Sequence, residues 1–141
     1  MLQTVSFCPR QDAEQVPADA HTVVISITSP GSSPANLGEG FASALQLAFD
    51  DVSYPMRGKE RNQMPISRSQ VAEIVAFLRL WHGMPNGPTH LLVHSDAGLR
   101  RAAAVARFAA DYLGLAHQQD FAIADATLLS RLCEMAGLRP D

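Results

Sequence analysis

The apolar run Thr89-His90-Leu91-Leu92-Val93 passes through His94-Ser95-Asp96-Ala97-Gly98-Leu99-Arg100-Arg101 directly into the alanine-rich stretch Arg101 to Leu113. A short apolar run bounded by polar residues suits a central strand covered on both faces. Val105, Phe108, Ala109 and Tyr112 then fall at helical spacing, and Gly114 stands where a left-handed helix cap belongs. A strand and a helix joined this closely place their connecting loop at the carboxyl edge of a sheet. Few architectures other than layered α/β folds accommodate such a junction.

The rest of the chain agrees with that frame. Leu2 to Phe7 and Thr22 to Thr28 are short, β-branched-rich runs that read as core strands, and Pro9 to Ala20 between them reads as a brief helix or a loop. Ser29-Pro30-Gly31-Ser32-Ser33-Pro34 combines fixed and positive φ with side-chain-to-backbone bonding, which predicts a surface loop. Ala44 to Phe49 reads as a third strand, with the end of a helix beginning near Gly40 as the alternative. Ser67-Arg68-Ser69-Gln70 is a capping box, and Val71, Ile74, Val75, Leu78 and Trp81 continue from it as one apolar helix face that stops before Gly83 and Pro85. Asp125 is a good N-cap for a last helix through Leu128, Leu129, Leu132 and Met135 to Gly137. Strands alternating with helices predict an α/β fold over residues 1–141, a single domain with a central, mainly parallel sheet flanked by helices.

Charge narrows the choice of partners. The 141 residues carry a formal net charge of −3, with fourteen carboxylates against ten Arg and the single Lys59. That balance argues against a general electrostatic grip on nucleic acid or on anionic membranes, so any anion site must be local. No apolar stretch approaches the roughly 18 residues of a membrane span, and no secretory leader pattern opens the chain, so a cytoplasmic location is expected. Cys8 and Cys133 lack metal-ligand or CxxC spacing and read as two buried free thiols. His21, His82, His90 and His117 are scattered without ligand spacing and read as surface or half-buried residues, so no metal is implied.

The chemistry concentrates in the loop at residues 94–101. Backbone N–H groups of a turn and of a first helical turn, together with the helix dipole, stabilise an anion at such a place. Gly98 permits tight curvature, and Arg101 can return a planar two-pronged fork toward the same point. A dinucleotide site would need G-x-G-x-x-G and a nucleotide cradle G-x-x-x-x-G-K-[ST], and neither is present; a serine hydrolase would want G-x-S-x-G with a triad His and acid later in the chain, whereas His94, Ser95 and Asp96 are sequence neighbours that point in different directions.

The stretch Leu91 to Ala102 resembles the His-Cys-x5-Arg signature loop of the protein tyrosine and dual-specificity phosphatases. Ser95 stands at the position of the cysteine nucleophile, Gly98 at that of the loop glycine and Arg101 at that of the phosphate-binding arginine. The region from Ile25 to Pro34, the Phe49-Asp50-Asp51 segment and the helix before the signature strand resemble small bacterial members of the family. The resemblance implies a phosphatase-like fold that hydrolyses phosphate monoesters without metal or organic cofactor. It implies a phosphorylated protein or small phosphate monoester as partner, with inorganic phosphate or sulfate able to occupy the loop. Binding would fall to His94, Asp96, Ala97, Gly98, Leu99, Arg100 and Arg101, and the general acid to Asp50 or Asp51, with Asp96 as a weaker alternative.

Two departures change what is expected. A cysteine thiolate at a helix N-terminus attacks phosphorus, whereas a serine hydroxyl titrates far above neutral pH and needs a positioned base. Ser95, whether natural or exchanged to trap substrate, therefore predicts phosphate binding without efficient turnover. Ala102 stands where the family often has a hydroxyl that assists the second step, so its loss predicts slower hydrolysis. The alternative is a non-catalytic pseudophosphatase that binds phosphorylated partners. His94 is expected to orient the loop, and to lower the thiol pKa were residue 95 a cysteine. Arg57, Lys59 and Arg61 read as solvated loop surface or a substrate contact, and Tyr54 as a stacking residue or a loop closure.

Overall fold

The computed structural model describes residues 1–51 and 63–138. Four strands, β1 (Thr4–Pro9), β2 (Thr22–Thr28), β3 (Ser43–Ala48) and β4 (His90–Ser95), form one sheet in the order β1-β4-β2-β3. Every pairing in it is parallel. The helices are α1 (Arg10–Ala13), α2 (Arg68–His82), α3 (Arg100–Leu113) and α4 (Ala126–Met135). The expected parallel α/β architecture is therefore present, with Ala44 to Phe49 beginning as a strand. β3 lies at the end of the strand order, and its Ala44, Gln46 and Ala48 are exposed while Leu47 is buried. Tyr54, Arg57, Lys59 and Arg61 lie outside the described residues.

The pleat divides the sheet into two unlike faces. Val5, Phe7, Val23, Ile25, Ile27, Leu91 and Val93 join one hydrophobic cluster with Val71, Ile74 and Leu78 of α2, Phe108 of α3 and Leu128 and Leu132 of α4. Each of these larger side chains contributes roughly 1.5–3 kcal/mol by leaving water. α3 lies against β1, β4 and α4 at once. Its alanines at 102, 103, 104, 106 and 109 are fully buried, and their small side chains let the backbone sit close to the sheet. The alternate face carries Val24, Ser26, Leu92 and His94, with α1 against it beside β1 and β4.

Local signals set the helix ends. Ser67 Oγ accepts from the Gln70 N–H at 3.1 Å while Gln70 Oε1 accepts from the Ser67 N–H at 3.0 Å, completing the capping box. Asp125 Oδ1 accepts from the N–H groups of Thr127 (2.9 Å) and Leu128 (3.2 Å). Gly114 takes φ 70° at the end of α3, as its position predicts. The thiols depart from expectation: Cys133 is buried, but Cys8 is only half-buried, on the wall of a cleft of about 700 Å³ along β1. Both thiols are raised by desolvation, Cys8 to about 11, so neither is a reactive thiolate at neutral pH.

Candidate functional site

Parallel topology gathers three carboxyl-end loops around one point. β4 lies between β1 and β2, and Ser95 is in register with Pro9 on one side and Ile27 on the other. The chain after β1 therefore delivers Arg10, and the chain after β2 delivers Ser29, to the flanks of the loop that follows β4. The Asp96 N–H extends the ladder by donating to the Ile27 carbonyl at 3.1 Å. The backbone then curls through φ 55° at Ala97 and φ 117° at Gly98 before α3 begins. Gly98 is the residue that can take the second of these angles without strain.

Ser95 is fully buried inside this turn. Its hydroxyl donates to the Gly98 carbonyl at 2.9 Å and accepts from the Ala102 N–H at 3.2 Å. A first-turn amide of α3 thus points at the side-chain atom of residue 95, the arrangement that would favour negative charge there. Among the described residues, the N–H groups of Ala97, Gly98, Leu99 and Arg101 donate to no protein acceptor.

Arg101 returns beneath the loop and is only 3% exposed. One of its terminal nitrogens donates to the Phe49 carbonyl (2.7 Å) and the Ser29 hydroxyl (3.3 Å). The other donates to the Asp96 carbonyl (2.6 Å) and to Asp96 Oδ1 (2.9 Å). The Asp96 carboxylate also accepts from the Ser29 N–H and hydroxyl, each at 3.1 Å, and lies 3.8 Å from Arg10. Burial pushes its pKa up, but the Ser29 amide and then the Arg101 charge outweigh that and hold it below the ordinary carboxylate value. A carboxyl held ionised in this way gives Asp96 less proton to donate than an ordinary carboxyl.

Asp50 and Asp51 part company in space. Asp50 Oδ2 accepts from the Met64 N–H at 2.7 Å, which ties the carboxylate to the backbone before α2. Asp51 lies 3.9 Å from the Arg100 guanidinium, at the first turn of α3, and hydrogen-bonds the buried Asp125 carboxyl. Desolvation, followed by the bond to Asp51, raises the Asp125 pKa. Asp51 therefore reaches the α3 end of the loop, where Asp50 is committed to an anchor.

His94 adjoins Ser95 in sequence but not in direction. Its ring lies on the opposite face from Ser95, fully buried, with Nε2 2.6 Å from the Ser26 hydroxyl. Burial first, then the Arg10 charge, lower its pKa despite Glu14 and Asp96 nearby. The neutral ring brings no positive charge to residue 95. Its Nε2 contact joins β4 to β2, and its Nδ1 is buried without a hydrogen-bond partner among the described residues.

A cleft of about 410 Å³ opens beside the loop, lined by Pro9, Arg10, Gln11, Glu14, Asp96, Ala97 and Gly98. Neither Ser95 nor Arg101 lines it. Among the described residues, no group of three or more His, Cys, Asp or Glu is placed to share a metal ion, and no helix is long and apolar enough to cross a membrane. Ser29, Arg10 and Asp125 were not legible as site residues, because nothing in their local sequence ties them to residue 95. No protein-family model, curated protein or solved structure matches this chain.

Proposed function

We propose that this protein is a phosphatase-like domain whose 94–101 loop holds the phosphoryl group of a phosphate monoester, with Ser95 at the nucleophile position restricting it to binding with little turnover. The observation that carries the reading is the curled loop itself. An N–H from α3 is aimed at the Ser95 hydroxyl, neighbouring loop amides lack protein acceptors among the described residues, and a buried arginine closes the turn from below. Amides without protein acceptors at the N-terminus of a helix suit an anion. Asp51 is the better placed of the two acid candidates, since it lies at the α3 end of the loop.

Binding without hydrolysis is favoured by the hydroxyl's own bonding. Ser95 gives its proton to the Gly98 carbonyl, and the adjacent imidazole of His94 is engaged with Ser26 on the other face. Neither group is a base placed to activate the hydroxyl. The test is isothermal titration with inorganic phosphate and tungstate, paired with hydrolysis of an aryl phosphate by the protein as it stands and by Ser95→Cys. The expected result is binding by both and turnover by the cysteine variant alone. Binding with an inert cysteine variant would favour a recognition module for phosphorylated partners. Absence of binding together with an inert variant would overturn the phosphatase-like reading.

A further inference from the structure

Arg101 has five N–H donors to offer, as every guanidinium does. Four hydrogen bonds already engage its two terminal nitrogens, to the Phe49 carbonyl, the Ser29 hydroxyl, the Asp96 carbonyl and Asp96 Oδ1. All four N–H donors of those two nitrogens are therefore engaged within the protein. A tetrahedral anion entering the loop gains a two-pronged contact with this arginine only if one of these bonds yields. The contact that can yield is Asp96 Oδ1, because the carboxylate keeps the Ser29 N–H and hydroxyl and the nearby Arg10 when it lets the guanidinium go. The Phe49 carbonyl is fixed by the backbone after β3, whose Phe49 N–H donates to the Thr28 carbonyl.

We infer that Asp96 is an internal counter-anion for Arg101, one that a bound phosphoryl group must displace, and that it therefore sets the affinity of the loop. This rests on the phosphate-binding reading above. Asp96 weakens an incoming anion twice over: it occupies an N–H that the anion needs, and it places a negative charge beside the anion. A scaffolding role for the same carboxylate makes the opposite forecast, since loss of its charge would release Arg101 and weaken binding.

Asp96→Asn separates the two, because the amide oxygen can still accept from Ser29 and Arg101 while the charge is gone. Asp96→Ala removes the contact altogether. Titration of inorganic phosphate into all three proteins at fixed ionic strength is expected to give a Kd at least about tenfold lower for each variant than for the parent. The variants should also unfold at lower temperature, since the carboxylate's bonds to Ser29 are lost or weakened. Equal or weaker phosphate binding by Asp96→Asn, with the parent binding, overturns the counter-anion role and leaves the phosphate site standing. Loss of a cooperative unfolding transition in both variants likewise overturns it, because the carboxylate would then be a structural pin. No phosphate binding by any of the three overturns the counter-anion role and the phosphate site together.

Discussion

At the scale of single residues, Asp125 carries two jobs that pull its protonation in opposite directions. As the cap of α4 it accepts two backbone N–H groups, which favours the carboxylate; burial and the Asp51 carboxyl favour the acid. The net shift is upward. Between the ordinary carboxylate value and the raised one, the folded protein holds a proton that the unfolded chain releases. The contribution to stability is therefore fully present below the ordinary value and is lost as pH rises through the raised one. Asn is as good a cap as Asp and does not ionise. Asp125→Asn is accordingly expected to be at least as stable as the parent at pH 7, with a flatter dependence as pH rises above the ordinary carboxylate value. Urea unfolding at several pH values measures this, and a loss above about 1 kcal/mol at pH 7 would mean that the charged cap outweighs the burial penalty.

At the scale of elements, the legible ones are those whose signals lie within a few consecutive residues. The capping box at Ser67, the left-handed Gly114 and the Asp125 cap each set a helix end by bonds along the chain. β3 was ambiguous for a physical reason: Ser43–Ala48 mixes Ala, Leu and Gln, which suit a helix, and its extended state depends on pairing with β2, which no local pattern reveals. Two glycines make the contrast testable. Gly98 and Gly114 both have positive φ and open space where a Cβ would stand, so Ala at either meets backbone strain without a clash. Each substitution is expected to cost roughly 1–3 kcal/mol. Gly114→Ala should leave phosphate affinity intact, because that turn lies at the far end of α3. Gly98→Ala should abolish it, and calorimetry on the two variants distinguishes a helix cap from a binding turn.

At the scale of the molecule, the site is a product of topology more than of any one segment. The 94–101 loop was legible because its groups are contiguous in sequence. Arg10, Ser29 and Asp125 were not, because they reach it only through the order β1-β4-β2 and the packing of α4 on α3. A ligand bound where those loops meet should therefore stabilise the whole fold. Binding to the native state alone adds RT ln(1 + [L]/Kd), about 2.7 kcal/mol at a hundredfold excess over Kd. At about 2–4 °C per kcal/mol for a domain near this length, phosphate at that level should raise Tm by roughly 5–10 °C. Phosphate also stabilises proteins generally by exclusion from their surfaces. Gly98→Ala supplies the control: it keeps the general effect and loses the specific one. A steep rise of Tm with log phosphate in the parent, against a shallow one in the variant, is the expected pair of curves. Parallel curves would mean that phosphate acts on the solvent alone and that the loop holds no anion.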